Sequence, residues 1–352
     1  MWSLVDYVLQ YTPYAHLAGT MHPVASIIVS TIVIGAIAMV IDGVYRSTTR
    51  VPFVPEGKHC YITGGSTGLG KGLAIELAKR GAHVTIVARR TAELEAAAEQ
   101  IRAVRKSDSQ KVFAISADVT SKQDIVRAID EATKAIGKTP EYVFTCAGAS
   151  FPKLFVDQTL DDFEYAIKLN YLGQLYTVHE ATRCMVAEGV KGKLVFVSSI
   201  LGLMNFIGYS EYSPAKHAIR GLADGLRNEL LLYGIDVHVY FPGGILSPGW
   251  ENENKTKPKI TAEIEGTNTP QTPEECAKTL IKGLQRGYYF IGTDLLTEIL
   301  RSATRGTSPS NNWVLDWMLS AIGWIVGSGF STYTDYAVLQ ERKRLLAEKK
   351  LQ

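Results

Sequence analysis

Cysteine is scarce in this chain of 352 residues. The four cysteines are far apart and form no CxxC pair, so the ligand spacing that holds zinc is missing. Cys60 and Cys146 lie in apolar runs typical of buried strands, which favours free thiols in a reducing compartment over disulfides. The sequence therefore predicts no metal centre.

An excess of charge of one sign is also missing. Lysine and arginine number 37 against 35 aspartates and glutamates, which gives a formal net charge of +2. This balance gives no reason to expect a nucleic-acid partner. One α/β domain would use about 250 residues, so the remainder of the chain must form extensions of such a domain.

Most of the chain lacks long uncharged runs, but residues 24–41 form one, VASIIVSTIVIGAIAMVI. As a helix it would be about 27 Å long, close to the thickness of a bilayer core. No lysine or arginine precedes it, whereas Arg46 and Arg50 follow it. This order disfavours a secretory signal and predicts a transmembrane helix with the rest of the chain in the cytosol. The alternative is a helix that lies on the membrane or packs on a partner.

From residue 58 onward, short apolar runs alternate with longer amphipathic stretches. The apolar runs predict strands at 59–63, 83–88, 111–116, 142–147, 193–198, 236–241 and 288–292. The stretches between them predict helices at 68–80, 91–105, 122–136, 161–188, 210–232 and 273–285. This alternation indicates an α/β fold, a Rossmann-type doubly wound parallel sheet with helices on both faces. We expect a membrane anchor over 1–50, the Rossmann domain over 51–297 and a membrane-associated segment over 298–352.

Two segments depart from this rhythm. Residues 250–272 are polar and predict a mobile loop or short helix over a site. Residues 313–330 are apolar and aromatic but contain Asp316 and three glycines, so we expect an interfacial or re-entrant segment rather than a spanning helix.

Near the end of the chain, Lys349 and Lys350 match a cytosolic dilysine signal of endoplasmic-reticulum membrane proteins. We therefore expect that membrane as the location, with the catalytic domain facing the cytosol.

A glycine-rich turn, TGGSTGLG, occupies residues 63–70 between the first predicted strand and helix. Its glycines allow a tight turn and let the backbone approach a pyrophosphate, which then sits at the positive end of the helix. The turn predicts a dinucleotide site with contacts from Gly64, Ser66, Thr67, Gly68, Leu69 and Gly70.

The ends of the next two strands bear on the choice of cofactor. Arg89 and Arg90 end the second strand, where a guanidinium suits a 2′-phosphate and favours NADPH over NADH. Arg90 could instead be an exposed residue at the start of a helix. Asp118 and Val119 end the third strand, and the Asp118 carboxylate could either accept a hydrogen bond from the adenine or cap the following helix.

Tyr212 and Lys216 are four residues apart, so their side chains share one face of a helix. A nearby ammonium lowers the pKa of a phenol, and Tyr212 could then give a proton to a carbonyl oxygen while a hydride reaches the carbon. Ser199 ends a predicted strand and could hold that oxygen. Ser198 is the alternative, because only one of two neighbours faces the site. Asn170 is unfavourable within a helix, so it either serves a polar bend or water relay or faces solvent.

Together these elements resemble the short-chain dehydrogenase/reductase family, over residues 58–292. The resemblance implies a catalytic tetrad of Asn170, Ser199, Tyr212 and Lys216, with Tyr212 and Lys216 also contacting the cofactor. It implies further cofactor contacts from Ala147, Gly148, Pro242, Gly243, Ile245 and Ser247. The family's Asn-Asn-Ala-Gly reads Thr-Cys-Ala-Gly at residues 145–148, so the asparagine that stabilises the sheet is replaced.

Within that family, residues 63–82, 211–230 and especially 247–258 (SPGWENENKTKP) resemble the branch that acts on 3-ketodihydrosphingosine. The resemblance implies NADPH-dependent reduction of a long-chain amino ketone lipid and assembly of identical subunits. Glu251 and Glu253 either bind the amine of such a substrate or are solvated loop carboxylates. A membrane-anchored steroid or 3-ketoacyl-CoA reductase would share every catalytic residue. A binding protein that kept the fold and lost the chemistry is the non-enzyme alternative.

Overall fold

The computed structural model describes residues 23–49, 51–266 and 269–348, which fall into two units divided after residue 50. The first unit contains helix α1, Pro23–Thr49. Its apolar part, Ala25–Ile41, is close to the lower limit of length for crossing a bilayer. Isoleucine and valine side chains along it are mostly exposed, as in Ile32 and Val40. The transmembrane role of α1 stays a prediction.

The second unit is built on a sheet of seven parallel strands in the order β3-β2-β1-β4-β5-β6-β7. The strands are β1 His59–Thr63, β2 His83–Ala88, β3 Val112–Ser116, β4 Tyr142–Thr145, β5 Gly192–Val197, β6 Ile235–Phe241 and β7 Phe290–Gly292. The chain reverses its direction of travel across the sheet between β1 and β4. In such sheets a ligand binds beyond the carboxyl ends of the strands at this point.

Helices cover both faces of the sheet, which confirms the predicted doubly wound architecture. They are α2 Gly68–Ala78, α3 Thr91–Ala103, α4 Lys122–Ile136, α5 Leu160–Ile167, α6 Gly173–Ala187, α7 Ser213–Glu229, α8 Pro248–Thr256, α9 Lys259–Glu265, α10 Pro273–Gln285, α11 Leu295–Ala303 and α12 Trp313–Ala347. One core lies under α2, α3 and α10 and the other under α4, α6 and α7. The central strands β1, β5 and β6 are buried along their whole length.

The single helix predicted over 161–188 is interrupted. Helix α5 ends at Ile167, one wider π turn follows over Lys168–Leu172, and α6 then continues. Such a turn is a local widening within an otherwise α-helical segment and is frequent at functional sites. Asn170, the polar residue that the pattern could not accommodate, lies in this turn.

Residues 250–272 contain two helices rather than an open loop. Ser247 accepts a hydrogen bond from the backbone N–H of Trp250 (3.2 Å) and caps α8. Lys257 is extended because Pro258 follows it, and this bend separates α8 from α9.

The C-terminal segment narrows one expectation. Residues 313–330 are not re-entrant but belong to α12, a continuous helix of 35 residues that is long and apolar enough to cross a membrane. Asp316, which argued against a spanning helix, does not face outward. It is 2% exposed and its carboxylate accepts hydrogen bonds from Arg301 (2.7 Å) and Ser310 (2.6 Å). The boundary expected at residue 297 falls inside α11, which packs against α12.

Candidate active site

The four residues of the expected tetrad meet beyond the carboxyl ends of β4 and β5. Asn170 comes from the π turn and Ser199 from the segment after β5. Tyr212 directly precedes α7, and Lys216 lies in the first turns of that helix. Pro214 in the first turn suits a helix start, because the nitrogen of a residue there has no intrahelical partner. Three separate segments of the chain thus converge at one place.

Lys216 is held under the ring of Tyr212. Its Nζ lies 5.3 Å from the centroid of the Tyr212 ring and donates a hydrogen bond to the carbonyl of Val197 (3.0 Å). A side-chain hydrogen bond joins Tyr212 to Ser199. Ser198 instead donates to the backbone carbonyl of Lys216 (2.9 Å) and fixes α7 on the sheet. Of the two serines, the structure therefore places Ser199 beside Tyr212.

The pKa values in this cluster differ from the sequence expectation. Burial raises the pKa of Tyr212 above that of an ordinary phenol, and the Glu253 and Glu211 carboxylates raise it further, while the hydrogen bond with Ser199 lowers it. Burial lowers the pKa of Lys216 to about 8. The expectation that Lys216 would pull the Tyr212 pKa towards neutrality is thus wrong for this arrangement, because burial outweighs any effect of the ammonium. At neutral pH Tyr212 holds its proton.

Asn170 is fully buried, which excludes a solvent-facing side chain. Its Oδ1 accepts a hydrogen bond from the backbone N–H of Ala149 (3.1 Å), and its Nδ2 donates to the carbonyl of the same residue (2.9 Å). Gly148 is needed beside it, since a Cβ there would lie 2.7 Å from Asn170 Oδ1 and 3.4 Å from Lys216 Nζ. The π turn and the loop after β4 are therefore locked together.

Gln174 is a site residue that the sequence reasoning missed. Its side chain accepts a hydrogen bond from Thr145 (2.6 Å) and donates to the carbonyls of Asn170 (3.1 Å) and Val197 (3.0 Å). This buried amide connects β4, β5 and the π turn, so it compensates for the asparagine that Thr145 replaces. The four-residue spacing from Asn170 would have placed it on the same helix face.

The glycine-rich turn is shaped for a close backbone approach. Gly64 has a φ of 67°, and a Cβ on it would lie 2.8 Å from the backbone nitrogen of Ala147. A Cβ on Gly70 would lie 2.3 Å from the carbonyl oxygen of Gly64. Thr67 precedes α2 without a side-chain hydrogen bond to the helix, so the N–H groups of the first turn are left for an anion. The turn fits a pyrophosphate.

Other expected cofactor residues line the same edge of the sheet. Arg89 is exposed, and its guanidinium lies 3.3 Å from the Tyr165 hydroxyl. Arg90 pairs with Glu93 (3.0 Å), as expected of a residue at a helix start. Asp118 accepts two hydrogen bonds from Thr120 and holds the turn before α4.

Ser121, rather than Asp118, caps helix α4. This corrects the capping alternative and leaves the adenine contact of Asp118 as a prediction. Val119 packs against Gly173, where a Cβ would lie 2.9 Å from it.

The loop after β6 contains the remaining residues that were expected to contact the cofactor. The Pro242 carbonyl accepts a hydrogen bond from Ile200 (2.8 Å), which ties this loop to the segment containing Ser199. Gly243 follows, and Ile245 pairs with Gln271. Ser247 lies beside the cofactor turn: a Cβ on Gly68 would be 3.2 Å from the Ser247 Cβ. Ser66 and Leu69 are buried within the turn.

Comparisons with known proteins agree with this geometry. The sequence pattern of the short chain dehydrogenase family matches residues 58–258. The 3-ketodihydrosphingosine reductase TSC10 of Cryptococcus neoformans var. neoformans is 45% identical, over 81% of this chain and 88% of its own length. The 3-ketodihydrosphingosine reductase gsl-3 of Neurospora crassa is 36% identical, over 86% of this chain and 85% of its own. A crystal structure of a short-chain type dehydrogenase/reductase from Mycobacterium marinum superimposes with a TM-score of 0.61 at 27% identity, covering 68% of this chain and 95% of its own.

Proposed function

This chain belongs to the short-chain dehydrogenase family, and from that membership we propose that it reduces the 3-keto group of 3-ketodihydrosphingosine with NADPH. It is an oxidoreductase that acts on a carbonyl or hydroxyl group and uses a nicotinamide cofactor. The observation that carries the substrate is the identity of 45% over 81% of the chain to a protein named for this reaction. The convergence of Tyr212, Ser199 and Lys216 supports the chemistry.

The bound nicotinamide would supply the hydride, and the residues of the chain would handle the carbonyl oxygen. Tyr212 keeps its proton at neutral pH, so it can donate that proton to the oxygen as negative charge develops there. Ser199, hydrogen-bonded to Tyr212, would hold the same oxygen from a second side. Lys216 has a pKa of about 8, which suits it to return a proton towards Tyr212, and Asn170 would join this relay through water.

Arg89 supports the choice of NADPH. It directly follows β2, where the adenine ribose lies in this fold, and it pairs with no carboxylate among the described residues, whereas Arg90 pairs with Glu93. Replacing Arg89 by Ala should lower kcat/KM for NADPH while leaving that for NADH nearly unchanged. Equal losses with both cofactors would contradict the assignment.

A row of aromatic rings supports a lipid substrate. The ring centroids of Tyr212 and Tyr209 are 6.4 Å apart, those of Tyr209 and Phe206 are 5.3 Å apart, and those of Phe206 and Phe330 are 6.1 Å apart. This row runs from the catalytic tyrosine to the apolar helix α12. We propose that the alkyl chain follows it out of the site.

Helix α12 also bears on the membrane contact. Its inner face packs on α11 through Leu319 and Gly323, whereas Trp317, Trp324 and Ile325 are 75%, 79% and 77% exposed. A helix docked on the domain along one face and apolar on the other is suited to lie on a membrane surface. We propose this arrangement at the cytosolic face of the endoplasmic reticulum. The dilysine pair Lys349 and Lys350 lies outside the described residues. Protection of the domain from protease added to intact microsomes would contradict this topology.

Assembly of identical subunits is proposed as well. The outer faces of α6 and α7 form an open groove whose lining includes Leu175, Val186, Leu226 and Tyr233. Apolar side chains on such a groove suit a second copy of the same helices. Light scattering of the detergent-solubilised protein measures the subunit number, and a monomer at micromolar concentration would contradict the proposal.

One assay tests the proposed reaction. Purified protein is given 3-ketodihydrosphingosine, a ketosteroid or a 3-ketoacyl-CoA, each with NADPH and with NADH. We expect the sphingoid ketone with NADPH to have the highest kcat/KM. Replacing Tyr212 by Phe should abolish turnover and spare NADPH binding, because only the proton donor is lost. Preference for the steroid or the thioester would reassign the substrate, and failure with every ketone would favour a non-catalytic role.

A further inference from the structure

Helix α8 lies across the site from the cofactor turn to the catalytic tyrosine. It begins at Ser247, which lies beside Gly68 of the glycine-rich turn. Two turns later, Glu253 accepts a hydrogen bond of 2.6 Å from the hydroxyl of Tyr209. The ring of Tyr209 is the neighbour of the Tyr212 ring. Helix α8 therefore places a carboxylate close to the position of the reacting carbonyl.

The carboxylate of Glu253 is incompletely neutralised. Its Oε1 accepts the hydrogen bond from Tyr209 and lies 3.2 Å from the ammonium of Lys257. Glu265 lies against the same two groups, and the single proton of the Tyr209 hydroxyl can be donated to only one of the two carboxylates at a time. With both carboxylates ionised, their charge exceeds that of the Lys257 ammonium by one. The Glu253 side chain is 20% exposed, and none of the described residues donates to its Oε2. A carboxylate held this far from water is stabilised by one more cationic donor.

The effect of Glu253 on the pKa of Tyr212 also supports a cationic partner for this carboxylate. Burial raises the pKa of Glu253, although Tyr209 and Lys257 oppose this change, and the Glu253 carboxylate in turn raises the pKa of Tyr212. With a neutral ketone, Glu253 would remain a half-buried charge beside the proton donor. A cationic substrate would offset that charge when it binds.

The chemistry of an amino ketone requires such a partner near Tyr212. In 3-ketodihydrosphingosine one carbon separates the amine nitrogen from the carbonyl carbon, so the two are about 2.5 Å apart. Glu211 is the other carboxylate near Tyr212, but it is 2% exposed and already occupied. Its Oε1 accepts from the backbone of Phe151 (2.9 Å) and its Oε2 from Gln158 (3.2 Å). Of these two carboxylates, Glu253 is therefore the one whose second oxygen can accept a hydrogen bond from the substrate.

We infer that Glu253, positioned by Tyr209 and Lys257, recognises the ammonium group of the substrate and selects amino ketones over neutral ketones. This inference rests on the proposed reduction of a sphingoid ketone. Of the two glutamates that the sequence offered as amine partners, it selects Glu253, because Glu251 is exposed on the same helix. The competing explanation is structural: the charges of Glu253, Lys257 and Glu265 only hold α8 against α9.

Two ketones separate these explanations. One is 3-ketodihydrosphingosine and the other is the same ketone with hydrogen in place of the 2-amino group. We expect Glu253→Gln to lower kcat/KM for the amino ketone by about 10- to 100-fold, the effect of losing a hydrogen bond to a charged group. The neutral ketone should be reduced as well as by the wild-type protein or better. Glu253→Asp should keep part of the preference, and Glu251→Gln should behave as the wild type.

The outcomes are distinct. Equal losses on both ketones in Glu253→Gln, together with a lower Tm, would show that Glu253 only holds the helices and would overturn the inference. Failure of the wild-type protein to reduce either ketone would instead overturn the proposed function. Binding distinguishes the two without turnover. By titration of tryptophan fluorescence in the presence of NADP⁺, Glu253→Gln must weaken binding of dihydrosphingosine and not of its 2-deamino analogue. Equal affinities of the variant and the wild type for the amine would refute ammonium recognition.

Discussion

Replacing Lys216 by Met should stabilise the cofactor-free protein while it abolishes activity. The Lys216 side chain is 3% exposed, and burial lowers its pKa from 10.5 to about 8. At neutral pH the lysine is charged in both the folded and the unfolded chain, so the folded state carries the desolvation penalty of that charge. Methionine has a similar length and carries no charge, so this penalty disappears.

The magnitude follows from the shift. A change from 10.5 to about 8 corresponds to about 3 kcal/mol of unfolding free energy at pH 7. The hydrogen bond to the Val197 carbonyl is lost in the variant, which removes about 1 kcal/mol at any pH. We therefore expect a net gain of about 2 kcal/mol at pH 7.

The dependence on pH is the sharper test. Between the folded pKa of about 8 and the unfolded value of 10.5, the unfolded chain binds more protons, so the wild-type protein gains stability as pH rises. The advantage of Lys216→Met should shrink by about 2 kcal/mol between pH 7 and pH 9.5. Unfolding of the full chain by urea in detergent, followed by tryptophan fluorescence, measures it, with exposed Lys255→Met as control. An advantage that does not change with pH would refute a buried ammonium.

Three further substitutions test the site and its support. Gln174→Leu should lower the free energy of unfolding by about 2–4 kcal/mol and kcat by about tenfold, because the Asn170 carbonyl loses a buried donor. Denaturant curves measure the first effect and steady-state kinetics the second. A variant as stable as the wild type would contradict this prediction. Asp316→Ala should remove about 3–5 kcal/mol by leaving the Arg301 guanidinium buried without this partner, and the pair Arg301→Met, Asp316→Leu should restore most of it in the same unfolding assay. Gly148→Ala should reduce kcat by more than about tenfold, since its Cβ would displace the Asn170 amide, and unchanged kcat would show that this contact yields easily.

The sheet and its covering helices were predictable because their signals are local. Strand β1 and helices α4 and α10 begin and end where the apolar pattern and the helix caps predict. Helices α4 and α10 each bury one face against the sheet, whereas β1 lies within the sheet and is buried along its whole length, so the pattern of each element in the sequence follows from its position. The cofactor turn was equally predictable from the sequence, because the contacts that require its glycines come from within a few residues and from one neighbouring strand.

The tertiary contacts of polar side chains could not be predicted from local patterns in the sequence. Gln174 and Asp316 look like ordinary polar residues of a helix, and their partners Thr145 and Arg301 are distant or lie on another helix. Nothing in the sequence distinguishes a carboxylate that faces lipid or water from one that is paired inside. For this reason Asp316 was a poor guide to residues 313–330: the re-entrant alternative is excluded, and the interfacial one stays a prediction.

The pKa of Tyr212 is a second property that the sequence alone could not predict. The spacing of Tyr212 and Lys216 suggested a phenol made acidic by a neighbouring ammonium. In the folded chain Lys216 is buried and Tyr212 is half-buried, and removal from water raises the pKa of the phenol and lowers that of the ammonium. Each group is therefore driven towards its neutral form, which for Tyr212 is the form that donates a proton.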